Sequence, residues 1–200
     1  MKKLLLVLTL LNGLSEDPVR AQAGKQDKVI LVVNCFDASG TRFRNNKKEL
    51  LAGLADSIRF HLAAKIDASG AGKSVIIEQT VSTALIDSLL RQYDAAAAIA
   101  VLNIAPEFEQ TEVNVERESD GSKKRTAKYD LCSSVIYMLI TRNGSANERE
   151  ERHCEFFTER NVMSGLLAGG PDLVGKSKWV YRSVSKNVAD YFEYIIPFLQ

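Results

Sequence analysis

The run KVILVVNCF, Lys28 to Phe36, constrains the fold more than any other part of this 200-residue chain. It is apolar without alternation and rich in β-branched residues, the mark of a strand covered on both faces, so it has to lie inside a sheet with other layers around it. After the polar loop DASGTRFRNN the spacing changes. Leu51, Leu54, Ala55, Ile58, Leu62 and Ile66 recur at three and four residues and share one face of a helix over Asn46 to Ile66. SVIIEQ then supplies a second strand opening at Val75, which makes the first crossover of an α/β unit. Ser82 to Tyr93 carries Ala84, Leu85, Ser88 and Leu89 at helical spacing, and Ala95 to Ala105 reads as a third strand.

The second half has a different rhythm. Glu109 to Glu118 alternates Thr111, Val113 and Val115 with polar partners, a strand with one wet face, and Asp120-Gly121 marks a turn. YDLCSSVIYMLITR runs as a long strand into Asn143-Gly144, and EERHCEFFTER answers it beyond a charged loop, giving an antiparallel meander. VMSGLLAGGPDLVGKS reads as loop. Val180, Val184, Val188, Tyr191, Phe192 and Ile195 form the stripe of a last helix stopped near Pro197. The order β-α-β-α-β-β-β-α predicts an α+β fold, with one mixed sheet and helices packed mainly on one face.

Composition bounds the class of protein. At 46% hydrophobic the chain is long enough for one core and too short for two. Residues 1–23 read as a cleavable secretory signal: MKK is a positive flank, LLLVLTLLNGL a short apolar core, and Ala21 and Ala23 offer small residues for cleavage. Residues 24–200 are then expected to form a single secreted, periplasmic domain. No apolar run reaches the roughly 20 residues of a bilayer-spanning helix. No cysteine precedes Cys35, so the leader is read as lacking a lipid-anchor site. The formal charge is +1, and removal of Lys2, Lys3, Arg20, Glu16 and Asp17 leaves basic and acidic residues in balance, which argues against nucleic acid as a partner.

Few residues suggest chemistry. Cys35, Cys132 and Cys154 are odd in number and too widely spaced for a zinc pattern, so no metal site is expected; a Cys132 to Cys154 bridge across neighbouring strands stays open. GAGKS, Gly70 to Ser74, has phosphate-loop lettering. Such a loop needs a strand before it and a helix after it, whereas here a helix precedes and a strand follows, so the glycines are read as a helix stop. His61 and His153 are read as surface or half-buried residues, and a Cys154 and His153 dyad fails because adjacent strand residues point to opposite faces. Asp190 and Glu193, three apart on the last helix, read as a solvated face. No cofactor is expected and no complete catalytic constellation emerges.

Two family resemblances bear on function. KVILVVNCFDASGTRFRNNKKELLAGLADSIRFHL resembles the opening of the TolB amino-terminal, CsgG and LpoB group of bacterial envelope proteins, with Val32, Phe36, Ser39, Gly40, Gly53, Leu54 and Ile58 in the pattern and Asn34-Cys35 where a Leu-Pro pair would stand. That resemblance implies a non-enzymatic accessory domain that binds envelope proteins or peptidoglycan-synthesis machinery. FDASGT, Phe36 to Thr41, resembles the D-x-D-G-T loop of haloacid-dehalogenase-like phosphatases. It implies, as the alternative, Asp37 as nucleophile, but Ser39 replaces the acid that protonates the leaving group, and GGPDLVG offers only Asp172 toward a metal. For the binding reading, the accessible candidates are Lys123, Lys124 and Arg125 in SDGSKKRTAK, Arg149 and Arg152 in ANEREER, and Trp179, all read as loop residues or their neighbours.

Overall fold

The computed structural model describes residues 28–39, 45–121, 123–160 and 175–200. The expected leader, the end of FDASGT and most of VMSGLLAGGPDLVGKS lie outside them. β1 (Val29–Asn34) leads to α1 (Asn45–Ser69), β2 (Lys73–Thr80), a 3-10 turn (Thr83–Leu85), α2 (Ile86–Gln92), β3 (Ala97–Arg117), β4 (Lys123–Thr141), β5 (Ala146–Arg160) and α3 (Ser177–Leu199). The sheet order is β2-β1-β3-β4-β5. β1 pairs in parallel with β2 and β3, and β3, β4 and β5 are successively antiparallel. The result is the mixed-sheet α+β fold that the pattern predicts.

The unbroken apolar character of β1 follows from its surroundings. Ile30 and Val32 face α1 and α3 in the larger core, with Leu54, Ile58, Leu62, Val184, Val188 and Tyr191. Leu31 and Val33 face the other way, against Ile86 and Leu90 of α2. Burying each such side chain contributes about 1.5–3 kcal/mol, so leaving either face of β1 open would forfeit several of these contributions at once. Two of the three helices share one face, and α2 alone covers part of the other.

Several boundaries differ from expectation. α1 continues past Ile66 to Ser69, where Gly70 turns the chain at φ +67°. Gly72 is required by crowding, because a Cβ there would lie 2.4 Å from the carbonyl oxygen of Lys28. In α2 the buried residues are Ile86 and Leu90, whereas Leu85 is 53% exposed. The tighter 3-10 turn at Thr83–Leu85 shifts the helical phase away from the Ala84, Leu85, Ser88 and Leu89 face. The expected strands at Ala95 to Ala105 and Glu109 to Glu118 are one strand, β3, passing through Pro106. β1 reaches no further along β3 than Val101, so Pro106 sits where β3 has a neighbour on one side only, the setting in which a strand tolerates proline. α3 likewise runs through Pro197 to Leu199, since a proline in the last turn removes a single ladder bond.

Candidate functional site

Strand length creates the surfaces available for binding. β1 has 6 residues, β3 has 21 and β4 has 19, so beyond Val101 the β3–β4 pair leaves the β1 side of the sheet and projects as an arm. The last nine residues of β3 are all exposed. At the arm's end Gly121 takes φ +82° in the turn. Glu112 bonds Lys128 at 2.6 Å and Asn114 at 2.8 Å, and these bonds, chiefly that to Lys128, hold its carboxyl below the usual range. The arm is polar, with the Lys128–Glu112 and Lys124–Glu118 ion pairs along it.

The expected contact residues fall into three places. Lys123, Lys124 and Arg125 belong to β4, in register with Arg117, Glu116 and Val115, which corrects their reading as a loop. Pairing with β3 supplies the hydrogen bonds that local charge density hid. Arg149 and Arg152 are strand residues of β5 as well, and ANEREER is a strand for the same reason. Arg149 lies on the α3 side, with its guanidinium 3.8 Å from the Tyr194 ring centroid, and its hydrogen bond to Glu151 raises its pKa above the usual value. Arg152 lies on the opposite face and reaches Glu107 at 3.1 Å. Trp179 opens α3 and stacks on Phe157 at 4.9 Å, continuing an aromatic row through Tyr129 and Phe108. Arg149 and Trp179 thus share the α3 side of the sheet. Between the register positions of Lys123 and Arg149, β4 covers 14 residues or roughly 45 Å, whereas Trp179 stacks on Phe157 in register with Tyr129, six residues or about 20 Å along β4 from Lys123.

A denser cluster lies on the margin where α3 crosses β5. Glu155, whose side chain is only 11% exposed, is 3.3 Å from Arg182, 3.3 Å from Lys186 and 3.5 Å from His153. Its Oε1 makes no properly angled hydrogen bond, so these contacts act through charge at short range. His153 Nδ1 faces Asp190 at 3.8 Å, so Asp190 serves this margin rather than a purely solvated face. One step round the helix, Ser183 bonds Ser133 and the His153 carbonyl, both at 2.8 Å, and Asn187 bonds Tyr137 at 2.8 Å and the Glu151 carbonyl. Cys132 and Cys154 stand in register on the face away from α3 and are disulfide-bonded. The sequence did carry a signal for the margin: Lys178, Arg182 and Lys186 recur at one-turn spacing on the last helix.

The other sequence motifs have structural explanations. In GAGKS, the Asp67 carboxylate accepts from the Ser74 amide at 2.7 Å and its hydroxyl at 2.9 Å, so a side chain of the protein already fills that turn with negative charge. Asp37 accepts from the Ser39 amide at 2.8 Å and hydroxyl at 2.6 Å, shaping the loop after β1. Beside it, at the carboxyl ends of β1 and β2, buried Asn34 bonds Phe36 and Thr80. Among the described residues no group of three or more His, Cys, Asp or Glu side chains is placed to hold a metal, and no helix is long and apolar enough to cross a membrane. His61 is exposed on α1. Cys35, the free cysteine, is half-buried, which pushes its thiol pKa up.

No protein-family model matches the chain, and no curated protein does. Solved structures that resemble it include bacterial lipoproteins. A minor lipoprotein from Acinetobacter baumannii aligns with TM-score 0.44 and 8% identity over 86% of this chain and 94% of that one. Rare lipoprotein B from Shewanella oneidensis aligns with TM-score 0.41 and 7% identity over 86% and 100%. A lipoprotein from Neisseria meningitidis aligns with TM-score 0.32 and 14% identity over 82% and 99%. The expectation that this chain has no lipid anchor concerned the leader, which lies outside the described residues.

Proposed function

We propose that this protein is a non-enzymatic binding module of the bacterial envelope that engages a protein of an envelope-assembly or peptidoglycan-synthesis complex. The observation that supports it is the disproportion of the sheet: β3 and β4 run well past β1 and β2 and, at Lys123 to Arg125, past β5 as well, and they end in solvent as a polar arm. Strand length spent outside a core contributes little burial, and it does provide edges and faces for a partner. The carboxyl ends of β1 and β2, where an open α/β sheet places its ligands, are occupied here by the side-chain bonds of Asn34.

In-cell cross-linking followed by capture from the periplasm tests the reading, with the full chain as bait. Recovery of a defined envelope protein, lost on truncation of the arm or mutation of the β5 margin, is the expected result. Magnesium-dependent phosphatase turnover abolished by Asp37→Asn would overturn it.

A further inference from the structure

We infer that β5 is a docking edge for an extended segment of a partner protein in which acidic residues alternate with apolar ones. β5 is the outermost strand, and among the described residues no strand lies beyond it. Position around α3 defines what an added strand would meet. Val180, Val184 and Val188 point into the core, Ser183 and Asn187 reach β4 and β5, and Arg182 and Lys186 follow one step further round. At 100° per residue that progression carries Arg182 and Lys186 across β5 to its outer side, where they are 57% and 50% exposed. Lys178, one turn earlier, is exposed as well.

A sixth strand would lie about 4.8 Å outside β5, with its side chains on this face alongside those of His153 and Glu155 and beneath the two cations. The charges facing that position are Arg182 and Lys186 against Glu155, with His153 paired to Asp190 at the far end. Glu155 is nearly buried, so the exposed surface of this stretch is cationic, and an acidic residue on the incoming strand completes it. On the other face the same stretch of β5 presents Arg152, Cys154 and Phe156. Arg152 is engaged by Glu107 and Cys154 by Cys132, which leaves Phe156, 71% exposed, as the apolar contact. Side chains of a strand alternate between faces, so the complementary partner alternates too: acidic toward α3, apolar beside Phe156.

The inference rests on the binding-module reading and narrows it to one edge. Its test uses a labelled nine-residue peptide alternating Glu and Val, titrated into the full chain by fluorescence anisotropy. Saturable binding is expected, weakened about tenfold or more by Arg182→Glu with Lys186→Glu and several-fold by Phe156→Ser, which alters only an exposed side chain. A Lys and Val peptide should bind the charge-reversed variant and not the parent, which also shows that the variant is folded. N-methylation of the peptide amides should abolish binding. Absence of saturable binding by the Glu and Val peptide, or binding indifferent to charge reversal and to N-methylation, overturns the inference. Full capture of an envelope partner by the Phe156 and charge-reversed variants places the docking surface elsewhere and overturns the edge alone. Peptide binding with the expected charge dependence but no envelope partner captured keeps the edge and overturns the envelope reading.

Discussion

Two tyrosines show how closely similar side chains can differ in energy. Tyr137 of β4 and Tyr191 of α3 stack at 4.0 Å and are both fully buried. Tyr137 donates to Asn187, whereas the buried Tyr191 hydroxyl has no hydrogen-bond partner among the described residues. An unpaired buried hydroxyl costs free energy that a paired one recovers, so Tyr191→Phe should be neutral or stabilise by about 1 kcal/mol, and Tyr137→Phe should destabilise by about 1–2 kcal/mol by orphaning the Asn187 oxygen. Urea unfolding at neutral pH checks the order, and a larger loss from Tyr191→Phe would contradict it. Burial, first of all, raises the pKa of both phenols, with neighbouring Tyr and Glu151 adding to it. The folded state therefore keeps protons that the unfolded chain releases near pH 10, so this contribution to stability is full below that pH and is lost as pH rises above it. Unfolding free energy should fall more steeply between pH 9.5 and about 11 in the parent than in Tyr191→Phe. The letters place Tyr191 on the apolar stripe of the last helix, but its stack with Tyr137 depends on how α3 lies across β4, which neighbouring residues do not encode.

At the scale of elements, what the sequence made legible is where periodicity and burial agree. β1 and α1 are read correctly because an unbroken apolar run and a three-and-four stripe each admit few alternatives. Lys123 to Arg125 at the arm's end and ANEREER at the start of β5 are misread because they carry loop-like charge while their order comes from cross-strand bonds to other strands. The candidate contact residues are the most affected, since they are picked out as accessible loop positions and Lys123 to Arg125, Arg149 and Arg152 are strand residues instead. Local geometry also makes some positions stricter than their lettering. Gly72 meets the Lys28 backbone, which cannot yield as a flexible side chain would, so Gly72→Ala should cost about 1–3 kcal/mol in thermal or urea unfolding. The Cys132–Cys154 bridge ties edge strand β5, and with it the α3 margin, to β4 across 22 positions of sequence. Replacing both cysteines with serine should remove about 2–4 kcal/mol, and adding reductant to the parent should reproduce that loss while leaving the variant unchanged.

The whole molecule divides its residues unequally between stability and display. Its core lies where α1, α2 and α3 cover β1, the first part of β3 and the later part of β4, and burial fades along the arm until Val113 and Val115 are 44% and 49% exposed. Stability should therefore be nearly independent of the arm's outer part. Removing residues 114–126 and joining Val113 to Ala127, which are partners in register, through an Asn-Gly turn keeps buried Ala127 and discards only strand that buries little. The shortened protein should unfold in one transition within about 1 kcal/mol of the parent, with a slightly smaller urea m-value because less surface becomes exposed. A loss of several kcal/mol would mean that the arm supports the core. Because His153 to Phe156 of the β5 margin pair with β4 residues 130–133, which the truncation keeps, binding of the Glu and Val peptide should be unchanged. If cross-linked capture of an envelope partner disappears while peptide binding persists, the molecule carries two separable contact surfaces, one at the arm and one at β5.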